Sequence, residues 1–90
     1  MSFTSQKHKN FLSEPMRGKP VTALPGISVN YGKKLAAKGF GKADTVLGKF
    51  LMLDKQEEAF KCWLKDTCAA NCKQQNDCYM CLKDWCDAFF

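Results

Sequence analysis

Leu24-Pro25-Gly26-Ile27-Ser28, running on into Val29-Asn30-Tyr31-Gly32-Lys33-Lys34-Leu35, decides the reading of this chain. Pro-Gly marks a turn, because Pro presets its own backbone and Gly reaches conformations closed to other residues. Ser28 then has the right chemistry to cap a helix, its hydroxyl accepting from an orphan backbone N–H. Gly26 permits a tight hairpin and a close approach of backbone to an anion. The N–H groups after Ile27 open a helix, where unpaired donors and the dipole favour negative charge. Gly32 permits close packing of a neighbouring element. Lys33 and Lys34 flank the path a phosphate would take. The plain alternative is an ordinary Pro-Gly turn before a helix with a solvated basic face.

Outward from this stretch the pattern is helical throughout. Upstream, Thr4 or Ser5 can cap a short helix that ends in Phe11 and Leu12 and stops at Pro15. A loop follows, with one turn near Val21–Leu24. Downstream of the helix capped by Ser28, Gly39 is a good residue to end it, with Phe40 folding back toward Leu35. Ala43, Val46, Leu47, Phe50, Leu51 and Leu53 recur at spacings of three and four, which predicts a third helix. Gly48 within it suggests a close backbone approach. The run Phe50–Leu53 is apolar nearly all round, so burial on two sides, by a partner subunit on one of them, is expected. Asp54 and Glu57 have the spacing of a capping box opening a fourth helix, in which Ala59, Phe60, Trp63, Leu64 and Cys68 share a face. Asn71 can cap a last helix through Phe90, with Cys78, Cys81, Leu82, Trp85 and Phe89 as its stripe. No alternating strand pattern survives.

The chain has 90 residues, 46% of them hydrophobic and 26% charged, which excludes a disordered or low-complexity protein. Its length bounds it to one thin-cored domain, 1–90, that leans on a partner subunit. No run approaches the ~20 apolar residues of a membrane span. The polar start MSFTSQKHKNFLSE lacks the apolar stretch of a signal peptide, so an intracellular protein is expected. Net charge is +5, divided unevenly: residues 1–50 carry nine Lys+Arg against two Asp+Glu, and residues 51–90 carry five against seven. A basic half points to a polyanionic partner.

The LPGI hairpin and the helix after it resemble a helix-hairpin-helix motif, which grips phosphates without reading bases. Ser28 departs from it, standing where a second Gly is usual. Across essentially the whole chain, the segments TSQKHKNFLSEPM, GKPVTALPGI, YGKKLAAKGFGKA, VLGKFLML and FKCWLKDTCAANCKQQNDCYMCLKDWCDAFF resemble the barrier-to-autointegration factor family. The resemblance implies a compact all-α domain of five helices containing a helix-hairpin-helix motif and forming a homodimer. It implies non-specific binding of double-stranded DNA at two opposed sites, so that one dimer bridges two duplexes. It also implies LEM-domain proteins of the inner nuclear membrane and A-type lamin as partners. The roles implied are chromatin compaction, nuclear envelope assembly and restraint of foreign DNA in the cytosol, in nucleus and cytoplasm.

Carried over by position, the DNA surface comprises Gln6, Lys7, Gly26, Ile27, Ser28, Val29, Tyr31, Lys34, Asn71, Cys72 and Lys73. The groove for LEM-domain proteins falls near Gly48, Leu51, Met52 and Asp54, and the lamin-facing surface near Ser13 and Glu14. Phosphorylation that releases DNA maps onto Thr4 and Ser5, where about two negative charges would repel a duplex. Asn76 stands where relatives can carry Arg. On this reading Gly26→Glu abolishes DNA binding and leaves helix content and dimerisation intact.

Other chemistry finds less support. Cys68, Cys72, Cys78 and Cys81 have spacings a zinc site can use, yet no His supports them, and Cys78, Cys81 and Cys86 fit a core stripe with Leu82 and Trp85. No metal or cofactor is expected. Trp63 and Trp85 read as core. His8 has no visible nucleophile or orienting partner, and an enzyme is not expected. The rival from another functional class is a helical protein-interaction adaptor whose basic face is incidental.

Overall fold

In the computed structural model, residues 6–13, 16 and 18–89 are described, residues 6 and 7 by their backbone alone. Five helices form among them: α1 (Gln6–Leu12), α2 (Val29–Ala37), α3 (Ala43–Met52), α4 (Glu57–Cys68) and α5 (Cys72–Phe89), with a 3-10 turn (Val21–Ala23) before α2. The expectations at Thr4, Ser5, Glu14, Pro15 and Phe90 lie outside the described residues.

The helix ends show how local sequence sets these boundaries. Ser28 is extended, and its hydroxyl accepts from the Tyr31 N–H at 3.3 Å, as a cap should. At the other end of α2, Gly39 takes φ +89°; its N–H donates to the Ala36 carbonyl at 3.0 Å and that of Phe40 to Leu35 at 2.8 Å. This paired closure turns the chain inward, where the Phe40 ring meets Trp63 edge-on at 4.9 Å. At α5, Asn71 Oδ1 accepts from the Gln74 N–H at 2.9 Å, and Gln74 Oε1 accepts from the Asn71 N–H at 3.2 Å. That reciprocal capping box completes the cap expected of Asn71.

One expected cap is overturned. Asp54 and Glu57 do not form a capping box: α4 begins after Gln56, with no side-chain cap. A capping residue must be extended, whereas Asp54 and Lys55 are left-handed, at φ 56° and 59°. Both serve the end of α3 instead. Their N–H groups donate to the carbonyls of Leu51 and Phe50, each at 3.0 Å. Glu57 and Glu58 compensate the start of α4 through the dipole.

The core gathers Phe11, Leu24, Ile27, Leu35, Phe50, Phe60, Leu64 and Leu82 around α5. Phe50 stands edge-on to Phe60 at 5.3 Å and to Tyr79 at 5.9 Å. Cys68, Cys78, Cys81 and Cys86 are buried there, while Cys62 and Cys72 are exposed. Burial, reinforced by Asp84 and opposed by Lys19, pushes the Cys81 thiol up to about 12, so it packs as a small apolar group. On α3 the two sides of the apolar run divide. Phe50 is fully buried, whereas Met52 is 77% exposed. The close approach expected at Gly48 does not come from the described residues, since a Cβ built there meets nothing within 4 Å. Among the described residues, no helix is long and apolar enough to cross a membrane.

Candidate functional site

Gly26 is where the hairpin meets the rest of the molecule. Its φ is +82°, and a Cβ built on it would lie 2.4 Å from the backbone oxygen of Gln74, in the first turn of α5. The close approach that requires glycine is therefore to α5, in addition to any made to a ligand. For Gly26→Glu this adds a second expected effect: a side chain here presses the hairpin against the α5 backbone, so a loss of stability is expected beside the loss of DNA binding. Gly32 plays a similar part on the far side, its missing Cβ leaving room for Thr22 Cγ2 at 2.7 Å, so α2 packs tightly on the 3-10 turn.

With the hairpin docked, two segments distant in sequence share one depression of about 300 Å³, lined by Gly26, Ile27, Ser28, Lys73, Gln74 and Asp77. Two helices open beside it. At α2 the Tyr31 N–H is taken by Ser28 and the Ile27 N–H by the Leu24 carbonyl at 3.2 Å, which leaves Ser28, Val29 and Asn30 as the opening donors. At α5 the capping box takes the N–H groups of Asn71 and Gln74 and leaves those of Cys72 and Lys73. Both mouths carry the partial positive charge of a helix N-terminus. Lys73 adds a full one: its side chain is exposed and leans on Asp77 at 3.1 Å, a surface pair weak enough to exchange for a phosphate.

The predicted residues fall into distinct places. Ser28, Val29, Lys34, Asn71, Cys72 and Lys73 are exposed and Tyr31 is half-buried. Ile27 is only 1% exposed, and its side chain anchors the hairpin in the core. Gln6 and Lys7 lie in the first turn of α1, which packs on α5. Gly48, Leu51, Met52 and Asp54 lie on α3 and the turn that ends it. Ser13 is exposed, its hydroxyl donating to the Asn10 carbonyl. Asn76 accepts from Lys61 Nζ at 3.3 Å, so a lysine from α4 stands beside the position where Arg was implied. Among the described residues, no three His, Cys, Asp or Glu side chains gather to hold a metal. Gln74 and Asp77 join the depression beyond the residues expected from sequence, and their signals are local: Asn71-x-x-Gln74 is a capping-box spacing, and Asp77 stands four residues after Lys73.

A family model described as barrier to autointegration factor matches residues 2–89. The chain belongs to the barrier-to-autointegration factor family. It is 63% identical over 89 residues to a barrier-to-autointegration factor of Danio rerio, covering 99% of each chain. It is 59% identical over 86 residues to that of Homo sapiens, covering 96% of this chain and 97% of the relative. The Drosophila melanogaster barrier-to-autointegration factor is 55% identical over 89 residues. Membership in the barrier-to-autointegration factor family accords with the all-helical fold of the described residues.

Proposed function

We propose that this protein binds double-stranded DNA through its phosphates without reading base sequence, and that a homodimer of it bridges two duplexes. It acts by binding and not by catalysis. The observation that supports this reading is the convergence of the α2 and α5 openings with Lys73 on one depression. Backbone donors and a lysine recognise phosphate oxygens, which every duplex presents alike. Exposed Val29 offers no hydrogen bond to a base edge, consistent with binding that ignores sequence. For the homodimer, the supporting features are exposed Met52 and the open space at Gly48 on α3. Family membership supports the finer reading: LEM-domain proteins near Gly48, Leu51, Met52 and Asp54, A-type lamin near Ser13 and Glu14, and release from DNA by phosphorylation at Thr4 and Ser5. It supports a nuclear protein of chromatin and the envelope that is also present in the cytoplasm.

The test is binding to two duplexes of equal length and unrelated sequence, at one salt concentration. The expected dissociation constants agree within about threefold, because phosphate contacts carry no sequence information. A preference of about a hundredfold, the scale of base-edge contacts, contradicts the reading. Failure to bind either duplex leaves the adaptor reading in its place.

A further inference from the structure

At seven residues, α1 is too short to persist as a helix on its own, so its pose is set by what it packs against. Its C-terminal end is well held. Phe11 is 1% exposed in the core, and Lys19 Nζ lies over the Phe11 ring at 4.9 Å while donating to the carbonyls of Asn10 and Phe11 at 3.3 and 3.4 Å. Its first turn is tied to α5 by His8. The imidazole is nearly buried, and Nε2 lies 3.1 Å from Asp84 Oδ2, a contact between residues 76 apart in sequence. Asp84 lies on the helix whose opening forms half of the candidate site, about 18 Å along the axis from Cys72 at 1.5 Å per residue. One rigid rod therefore carries both the phosphate-binding mouth and the docking point for α1. That spacing is shorter than one turn of B-form duplex, about 34 Å, so a single duplex can meet both.

We infer that His8 and Asp84 are positioning residues for DNA binding: the pair fixes the first turn of α1, and with it Gln6 and Lys7, in register with the α5 mouth. The inference rests on the DNA-binding reading above. It makes an acidic residue favourable to binding a polyanion, the opposite of what charge alone requires. Removing a carboxylate from a protein that binds DNA raises affinity if the carboxylate acts only through its charge. Removing Asp84 instead lets the first turn of α1 swing away and loses the contact made from it.

The test compares Asp84→Asn, Asp84→Glu and Asp87→Asn for binding to one duplex over a range of salt, all well below their melting midpoints. Asp87 is the charge control, on the same helix and paired only loosely with Lys83 at 3.7 Å. Asp84→Asn is expected to bind about fivefold more weakly, the scale of one charge-assisted hydrogen bond at a partly exposed site. Its slope of log affinity against log salt is expected to shrink by about 0.9, one cation's worth. Asp84→Glu recovers most of the affinity, and Asp87→Asn binds as tightly as wild type or more so, with an unchanged slope. A purely structural role for the pair lowers the melting temperature and leaves the slope alone, which overturns the inference, as does an Asp84→Asn variant that binds as tightly as Asp87→Asn. Should Asp84→Asn fail to fold, His8→Gln probes the same contact from α1 and is held to the same outcomes. A wild-type protein that binds no duplex overturns the DNA reading and this inference with it, whereas a wild type that binds beside an unimpaired Asp84→Asn overturns the inference alone.

Discussion

Gly26→Ala is expected to lower the melting temperature by roughly 10–25 °C, and Gly18→Ala by only about 5 °C, at the usual 4–8 °C per kcal/mol for a domain of this size. The two glycines share a backbone conformation, φ +82° and +80°, and differ in surroundings: a Cβ at Gly26 meets the Gln74 oxygen at 2.4 Å, while one at Gly18 meets nothing within 4 Å. The left-handed conformation costs an alanine about 1 kcal/mol at either position. At Gly26 the clash adds about 1–3 kcal/mol, because a backbone carbonyl inside a capped helix turn cannot move aside as a flexible side chain can. The difference between the variants therefore isolates the contact between hairpin and α5, and thermal unfolding of both measures it. DNA affinity falls with Gly26→Ala beyond the loss of folded protein, since the displaced hairpin separates the α2 mouth from the α5 mouth. Equal melting shifts for the two variants contradict the docking described here.

DNA affinity is expected to fall about 40-fold between 50 and 200 mM monovalent salt. Three lysines, Lys7, Lys34 and Lys73, are assigned to each duplex. Each phosphate neutralised by a lysine releases condensed counterions and contributes about −0.9 to the slope of log affinity against log salt, giving about −2.7 for three. The helix-mouth N–H groups add affinity without adding to this slope, because they carry partial charge and displace few counterions. A duplex titration at four or five salt concentrations reads the slope directly. A slope near zero leaves no ionic contact with phosphate. A slope beyond about −6 brings in the remaining lysines of the basic half and makes the hairpin one contributor among many.

How much of this was legible in the sequence depended on whether a residue's role was local. Ser28, Gly39 and Asn71 each act on backbone groups within four residues of themselves, and each is found in the role its neighbours predict. Cys78, Cys81, Leu82 and Trp85 were legible for the same reason, being set by helical period alone, whereas Phe89, the last residue of the expected stripe, stacks on Trp85 but is 47% exposed, because the end of α5 runs past the core. The failure at Asp54 was one of competition. Its spacing to Glu57 suits a capping box, but the end of α3 needed two left-handed residues to close its carbonyls, and Asp54 was one of them. The turn pattern at Gly26 announces a residue that must be glycine but not its principal neighbour. The Gln74 carbonyl lies 48 residues away, and no local pattern announces a contact of that kind. Gly48 shows the converse, a glycine whose suspected neighbour is absent among the described residues. The His8–Asp84 contact was likewise out of reach, since neither residue has a periodic or capping signature and only the packing of α1 on α5 joins them.

The central claim is that phosphate is held between the openings of α2 and α5. The most direct measurement is titration of isotopically labelled protein with a short duplex while every backbone amide is followed by NMR. The account predicts that the amides of Ser28, Val29 and Asn30 shift together with those of Cys72 and Lys73, saturating at one common dissociation constant. Shifts confined to the exposed lysines of α2 and the turn after it, Lys33, Lys34 and Lys38, with the hairpin and the start of α5 unmoved, would contradict it.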